Sequence, residues 1–320
     1  MSALSCSTVA GPLVLSSTLS ELAECYLAHA VNVRGVLKTS AAAERPYLRR
    51  FFDWFGPEER PERVMAAITP DSIMKGLEVY AAEHGHGSRR CMQKTVRLFL
   101  RFAHLAGYLN ADFSALSPSV HTPRMGRLAR AIPSDCIGRL AAGIVGDTPA
   151  DLRDRAILCL LSTYGVRGVQ LRRLRLEDVD WDGSRIHFPA AKGGRAVEQH
   201  LTDTAGNRLA DYLSRGRPVC DRPEVFLTDR EPFGPIPHPR ALSRILRSRM
   251  EQIGVELPEG VRYGSHGFRH AFAVRLCGRV PFKDMVDMLG HRDPSTSLIY
   301  GKSDAATLAL AALPWPGGAA

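Results

Sequence analysis

The stretch that decides the fold is His266-Gly267-Phe268-Arg269-His270-Ala271-Phe272-Ala273-Val274-Arg275-Leu276, followed by Leu289-Gly290-His291 and then by Pro294-Ser295-Thr296-Ser297-Leu298-Ile299-Tyr300. Ala271, Phe272, Val274 and Leu276 give the first part the apolar spacing of a helix. Histidines at i and i+4 share a helix face and can bind a metal. A zinc protease, however, carries Glu second in H-E-x-x-H, where Gly267 stands, and no third ligand is evident. The i, i+3 pair His266 and Arg269 instead sets a proton-active imidazole and a fork of donors on one face near a helix start, where anions bind favourably. Downstream, His291 sits behind a Gly turn, and a tyrosine follows nine residues later.

Upstream, Thr163-Tyr164-Gly165-Val166-Arg167-Gly168-Val169-Gln170-Leu171 ends an apolar helix in a glycine and offers Arg167. Between the two regions, Ala191-Lys192-Gly193-Gly194-Arg195 reads as a hairpin turn with Lys192 at its tip. In this order the set resembles the catalytic domain of tyrosine recombinases, also called the phage integrase family. That family's first box reads approximately T-G-x-R-x-x-E-L, followed by a hairpin lysine, H-x-L-R-H-T-x-A, L-G-H and a Tyr about nine positions on. The resemblance spans residues 150–302. It implies activating roles for Arg167, Lys192, His266, Arg269 and His291, a nucleophilic role for Tyr300, and a 3′-phosphotyrosyl link to DNA with a free 5′-OH. His270, Tyr263 and Tyr164, which have no place in the ordered set, are read as structural. Two departures stand out. Gln170 replaces the usual acid, and Gly267-Phe268 replaces the commoner Asp-Leu.

The same residues suit that chemistry on their own terms. Attack at a phosphodiester concentrates charge on the non-bridging oxygens, which two arginine forks, Arg167 and Arg269, can hold bidentately. A tyrosine with an ordinary pKa near 10 needs a base or nearby cations, and His266 is the expected assistant. The departing 5′-oxygen needs a proton, which Lys192 on its hairpin can bring. His291 is expected to donate to the phosphate or to position Tyr300. No G-x-x-x-x-G-K-[ST] motif is present, and with cations supplied by side chains neither a cofactor nor a metal is expected.

The whole chain agrees with a polyanionic partner. Among 320 residues, 42 Lys+Arg against 33 Asp+Glu give a formal net charge of +9, which points to nucleic acid or an anionic membrane surface. The sequence holds no apolar run of the ~18 residues a span requires, and its start lacks the charged region of a signal peptide, so a cytoplasmic, nucleoid-associated protein is expected rather than a membrane one. The cysteines Cys6, Cys25, Cys91, Cys136, Cys159, Cys220 and Cys277 are odd in number and never form C-x-x-C, which supports neither a disulfide framework nor a cysteine zinc site.

The organisation reads as mainly α with a small antiparallel β-sheet, an α+β chain. Residues 1–17 are a loose arm, 18–114 a helical core DNA-binding domain, 115–134 a basic linker, 135–303 the catalytic domain, and 304–320 a C-terminal docking helix and tail. In the first half, Arg90, Lys94, Arg97 and Arg101 fall on one stripe of a helix from Ser88 to Leu109. Like charges at that spacing repel, and a phosphate backbone would relieve them; a solvated helix face is the bland alternative. Arg124, Arg127 and Arg130 of the linker could lie along the DNA. Later segments read as helices at 134–144, 149–163, 167–174, 203–214, 239–253, 267–278, 282–289 and 294–300, with short strands at 178–181, 185–188 and 197–201.

The leading function is therefore a site-specific DNA recombinase of a bacterial mobile element. By the resemblance, its two domains form a C-shaped clamp around double-stranded DNA and it acts as a tetramer on two sites. Ala305, Leu308, Ala309, Ala312 and Leu313 make an apolar edge that must dock on something: its own domain or, as the resemblance implies, a neighbouring protomer. The competing readings are a catalytically silent DNA-binding protein of the same fold, favoured by Gln170 alone, and a metal-dependent hydrolase using His266, His270 and His291.

Overall fold

The computed structural model describes residues 18–56, 60–117, 119, 130–191 and 194–301. It is mainly helical with a small three-stranded antiparallel sheet, and the chain divides into two compact units between residues 123 and 124. The expected arm 1–17 and the segment 304–320 lie outside the described residues, as do Arg124 and Arg127.

The first unit is built from helices α1 (Leu19–Asn32), α2 (Lys38–Ala42), α3 (Arg45–Phe52), α4 (Pro61–Ala67), α5 (Pro70–Glu83) and α6 (His86–Leu105). Their starts are written locally. The Thr18 hydroxyl accepts from the Glu21 amide at 3.2 Å, and Thr69 and Ser72 cap α5 reciprocally behind Pro70, satisfying N–H groups that have no partner inside the helix. The apolar stripes meet in one core of Leu22, Tyr26, Phe51, Ile73, Met92, Val96 and Phe99. Phe99 meets Phe52 edge-on with ring centroids 5.2 Å apart, which sets positive ring edge against negative face.

The four cations of α6 do not form the bare stripe their spacing predicts. Lys94 Nζ lies 2.8 Å from the carboxylate of Glu44, a buried acid that also accepts from the Tyr26 hydroxyl at 2.6 Å. Arg97 donates to the Ser119 hydroxyl at 2.6 Å. Arg90 and Arg101 are exposed. A carboxylate thus offsets the repulsion along the helix at one of the four positions, Lys94, while Arg97 is held by a neutral hydroxyl.

The second unit runs α7 (Ser134–Gly143), α8 (Pro149–Tyr164), α9 (Gly168–Arg173), then strands β1 (Val179–Asp180), β2 (Arg185–Phe188) and β3 (Val197–His200), then α10 (Asp203–Asp211), α11 (Pro239–Ile253), α12 (Ser265–Leu276), α13 (Phe282–Met288) and α14 (Leu298–Gly301). The strands pair antiparallel, with Ile186 opposite both Val179 and Gln199. Ile186 and Phe188 point inward while Arg185 and His187 point out, the period-2 pattern of a sheet with one covered face. Helix α8 is buried around most of its circumference, through Leu152, Ala156, Ile157, Leu160 and Leu161. Its charged residues are paired, as buried charges must be. Asp151 and Asp154 each lie 2.7 Å from the guanidinium of Arg249 on α11, and Arg153 lies 2.9 Å from Asp154.

Several expected boundaries shift for local reasons. The helix expected over 203–214 ends at Asp211 and continues as a π turn, Tyr212–Gly216, in which the buried Tyr212 hydroxyl accepts from the Leu227 amide at 3.3 Å. The helix expected over 294–300 is a 3₁₀ turn, Pro294–Thr296, followed by α14; the Asp293 carboxylate accepts from the Ser295 amide at 2.9 Å and holds the turn. The stretch expected as linker is already docked before residue 134. Ile132 is buried in the second unit's core and its amide donates to the Gly267 carbonyl at 3.3 Å, while Arg130 donates to the Gly260 carbonyl at 2.8 Å. A small separate cluster of Phe272, Ala273, Met285, Leu289 and Tyr300 binds α12, α13 and α14 together, and beside it lies the candidate site.

Candidate active site

Helix α12 begins at Ser265 and carries Arg269 one turn in, where the side chain is 4% exposed. Its guanidinium reaches three acceptors. It donates to the Gly165 carbonyl at 2.9 Å, to the Leu289 carbonyl, and to His291 Nε2 at 2.9 Å. The L-G-H turn makes this possible. Gly290 lies in the left-handed region at φ 59°, and a Cβ there would sit 2.5 Å from Val197 Cγ2, so a side chain is excluded by both conformation and space. His291 follows, 5% exposed, its Nδ1 lying 2.6 Å from the Ser297 hydroxyl.

Arg167 precedes α9 and directs Nη1 at the Gly290 carbonyl, 3.4 Å away. That carbonyl also accepts from the Arg195 amide at 3.3 Å, so the returning side of the β2–β3 connection and the arginine meet at one oxygen. Lys192, between those strands, lies outside the described residues. Gln170, 1% exposed, accepts from the Arg167 amide at 3.0 Å through Oε1 and donates to the Pro189 carbonyl at 3.0 Å through Nε2. The amide serves both contacts, whereas an ionised carboxylate would have no donor for the Pro189 carbonyl, so the one feature that favoured a silent protein has a structural account. Gly267 has one too: a Cβ there would lie 2.7 Å from Ile132.

Neither Arg167 nor Arg269 has a carboxylate partner among the described residues. Burial, and then the charge of Arg167, lower the Arg269 pKa to about 10, and burial lowers that of Arg167. Both remain cationic at neutral pH. The His291 pKa falls to about 4, first through burial and then through Arg269 and Arg167, so the ring is neutral, accepts from Arg269 at Nε2 and donates through Nδ1 to Ser297. With both nitrogens engaged, His291 holds the guanidinium; the expected donation to phosphate is not what this arrangement shows. Tyr300 is 3% exposed. Burial raises its pKa, against the opposing pull of Arg269 and Arg167.

His270 is where the structure departs most from the sequence expectation. The sequence places His266 with Tyr300 and gives His270 a structural part, yet the imidazole that meets the tyrosine hydroxyl belongs to His270, with Nδ1 and Oη 3.0 Å apart. The exposed His266 stands one turn back, its ring centroid 6.4 Å from that of His270. The helix explains the change: positions i and i+4 share a face, and α14 packs on that face nearer the second histidine. Ser297 and the backbone carbonyls that hold Arg269 were also missed, because no local pattern marks a residue as an acceptor for a distant arginine. The metal reading, which needs His266, His270 and His291 together, finds no support in the geometry: His291 bonds to Arg269 and Ser297 while His270 meets Tyr300. Among the described residues no group of three His, Cys, Asp or Glu could hold a metal ion.

Comparison with known proteins matches the model described as "Phage integrase family" to residues 135–307. The chain is 36% identical over 274 residues to a Sinorhizobium fredii protein named as an integrase/recombinase (y4rF), covering 85% of this chain and 64% of that one. It is 31% identical over 304 residues to a second from the same organism (y4rA), covering 94% and 72%. The chain thus spans somewhat under two thirds of the first relative's length. In fold it resembles a lambda integrase tetramer bound to a Holliday junction, with a TM-score of 0.66, 15% identity, and coverage of 91% of this chain and 79% of that one.

Proposed function

The chain belongs to the phage integrase family of tyrosine recombinases, and from that premise we propose that it is a site-specific DNA recombinase that cleaves and rejoins strands through Tyr300. The observation that carries this reading is the pair of cations beside a buried phenol. Two guanidiniums, held by carbonyls and lacking acids among the described residues, destabilise each other, and an anion between them and the tyrosine would relieve the cost. A phosphodiester fits. Its non-bridging oxygens can take the N–H groups of Arg167 and Arg269, which bind more tightly as negative charge grows in the transition state. The Tyr300 oxygen forms a bond to phosphorus as the bond to the 5′-oxygen breaks, and Lys192 supplies the proton that the 5′-oxygen takes up. Attack by a partner strand's 5′-OH reverses the step, so bond energy is conserved in the phosphotyrosyl link.

On this reading Arg90 and Arg101 on α6, with Arg124, Arg127 and Arg130 near the unit boundary, meet the DNA backbone, while Lys94 and Arg97 contribute less because each is engaged inside the first unit. The lambda integrase structure is a tetramer on a junction, and its likeness of fold supports tetrameric assembly on two sites. We extend the reading to residues 304–313 docking on a neighbouring protomer, and to action on a mobile element in the bacterial cytoplasm.

The test is a suicide substrate nicked near the cleavage point and run on a denaturing gel. The protein should trap a covalent adduct, and Tyr300→Phe should trap none while binding DNA within a few-fold of the parent. Adduct formation by Tyr300→Phe would assign the attack to another residue.

A further inference from the structure

We propose that His270 is the general base of the reaction, accepting the Tyr300 proton at Nδ1 during cleavage and returning it on rejoining. The inference rests on Tyr300 being the nucleophile. Its ground is the 3.0 Å contact between Nδ1 and the hydroxyl, made inside a cluster that holds both partners still. Phe272 and Ala273, on the same helix as His270, pack with Tyr300 in one buried group. The Tyr300 amide donates to the Ser297 carbonyl at 3.0 Å, and the Cys277 thiol to the Tyr300 carbonyl at 3.4 Å. The phenol is therefore fixed at its backbone end by these bonds and at its hydroxyl end by the imidazole.

The protonation states suit the transfer. Tyr300 starts as a phenol whose ionisation is resisted by burial, so losing its proton to solvent is harder than for a free tyrosine. His270 must start neutral to accept it. Burial, His266 one turn back and Arg269 beside it all lower the His270 pKa, which leaves the ring unprotonated at neutral pH with Nδ1 free of its own hydrogen when Nε2 carries one. The groups bearing on the pair are His266 and Arg269 on α12, Tyr300 on α14, and Arg167 before α9.

The step balances. The O–H bond of Tyr300 breaks and the proton moves to Nδ1. Oη bonds to phosphorus, the P–O5′ bond breaks, and the 5′-oxygen takes its proton from Lys192. The imidazolium so formed adds a third positive charge beside Arg167 and Arg269 while the phosphorus centre carries its greatest negative charge. On rejoining, the incoming 5′-OH returns its proton to the Lys192 amine left neutral by cleavage, its oxygen bonds to phosphorus as the phosphotyrosyl bond breaks, and Oη recovers the proton from Nδ1.

His270→Asn separates proton transfer from positioning, because an asparagine side-chain atom replaces Nδ1 as a hydrogen-bonding group without its basicity. Single-turnover adduct formation by the full chain on the nicked substrate should fall by about 10²–10⁴-fold, the usual range for losing a general base, with DNA binding within a few-fold. In the parent protein the rate should rise with pH and level off below 6.5, since only the unprotonated ring accepts a proton and its pKa is lowered; in His270→Asn that limb should vanish. Free imidazole should restore part of the rate to His270→Ala. A 5′-phosphorothiolate leaving group should not rescue either variant, because the lost proton transfer is at the nucleophile. A His270→Asn protein that cleaves at the parental rate with the parental pH limb overturns the proposal while leaving the Tyr300 reading intact. Adduct formation by Tyr300→Phe fails the underlying reading instead.

Discussion

Gln170 shows how one side chain can be set by its neighbours rather than by the reaction. Its amide bridges the Arg167 amide and the Pro189 carbonyl, almost fully buried. Gln170→Glu would set an oxygen against the Pro189 carbonyl with no proton between them. An unsatisfied buried acceptor costs about 1–3 kcal/mol, so urea unfolding should show a loss of that size. Arg269 is the opposite case. Its three acceptors lie in different directions, and a single ammonium cannot hold the fork geometry they require. Arg269→Lys should keep the charge yet slow adduct formation by at least ~10²-fold in single-turnover assays, with His291 freed from its partner; parental cleavage would mean that charge alone suffices.

At the scale of elements, α6 and α8 carry separable predictions. Reversing Arg90 and Arg101 should flatten the salt dependence of DNA binding by about one counterion per contact without lowering the thermal midpoint. Lys94→Glu places a carboxylate against buried Glu44 and should lower that midpoint, a difference that scanning fluorimetry on both variants will expose. On α8, the Thr148 hydroxyl first, with Arg249 behind it, holds the Asp151 carboxyl below its ordinary 3.8. A depressed carboxyl stabilises the fold above its unfolded value and loses that contribution as pH falls through the lowered one. Acid titration of stability should therefore be shallower in Asp151→Asn. The same elements show what was legible. The strands β2 and β3 and helix α11 could be placed within a residue, because inward-facing apolar positions and Pro or Gly punctuation are local signals. The Lys94–Glu44 pair, 50 residues apart, and the Arg269 carbonyl cradle, whose acceptors lie 104 and 20 residues away, have no local signature. The order of the reactive residues was readable, whereas which histidine meets Tyr300 depended on how α14 packs.

At the scale of the whole molecule, the two units keep separate cores, one around Phe99 and one around α8. Phe99 is fully buried and touches aromatic partners on α1 and α3. Phe99→Ala should destabilise the first unit by about 3–5 kcal/mol, and calorimetry should show one transition move while the transition of the second unit stays. Within that second unit, the Gly290 carbonyl shared by Arg167 and Arg195 limits how the protein can change over generations. Surface connections ordinarily absorb insertions with little penalty. Here an added residue between Arg195 and Val197 would shift β3 by one position, turning Val197 and Gln199 to the opposite face and pulling Arg195 off its oxygen. An addition before Gly194 interrupts the 2.9 Å bond from the Gly194 amide to the Ala191 carbonyl but lies on the far side of Arg195 from β3. Length variation between β2 and β3 is therefore costlier after Arg195, where it re-registers β3 and moves the arginine's anchor, than before Gly194.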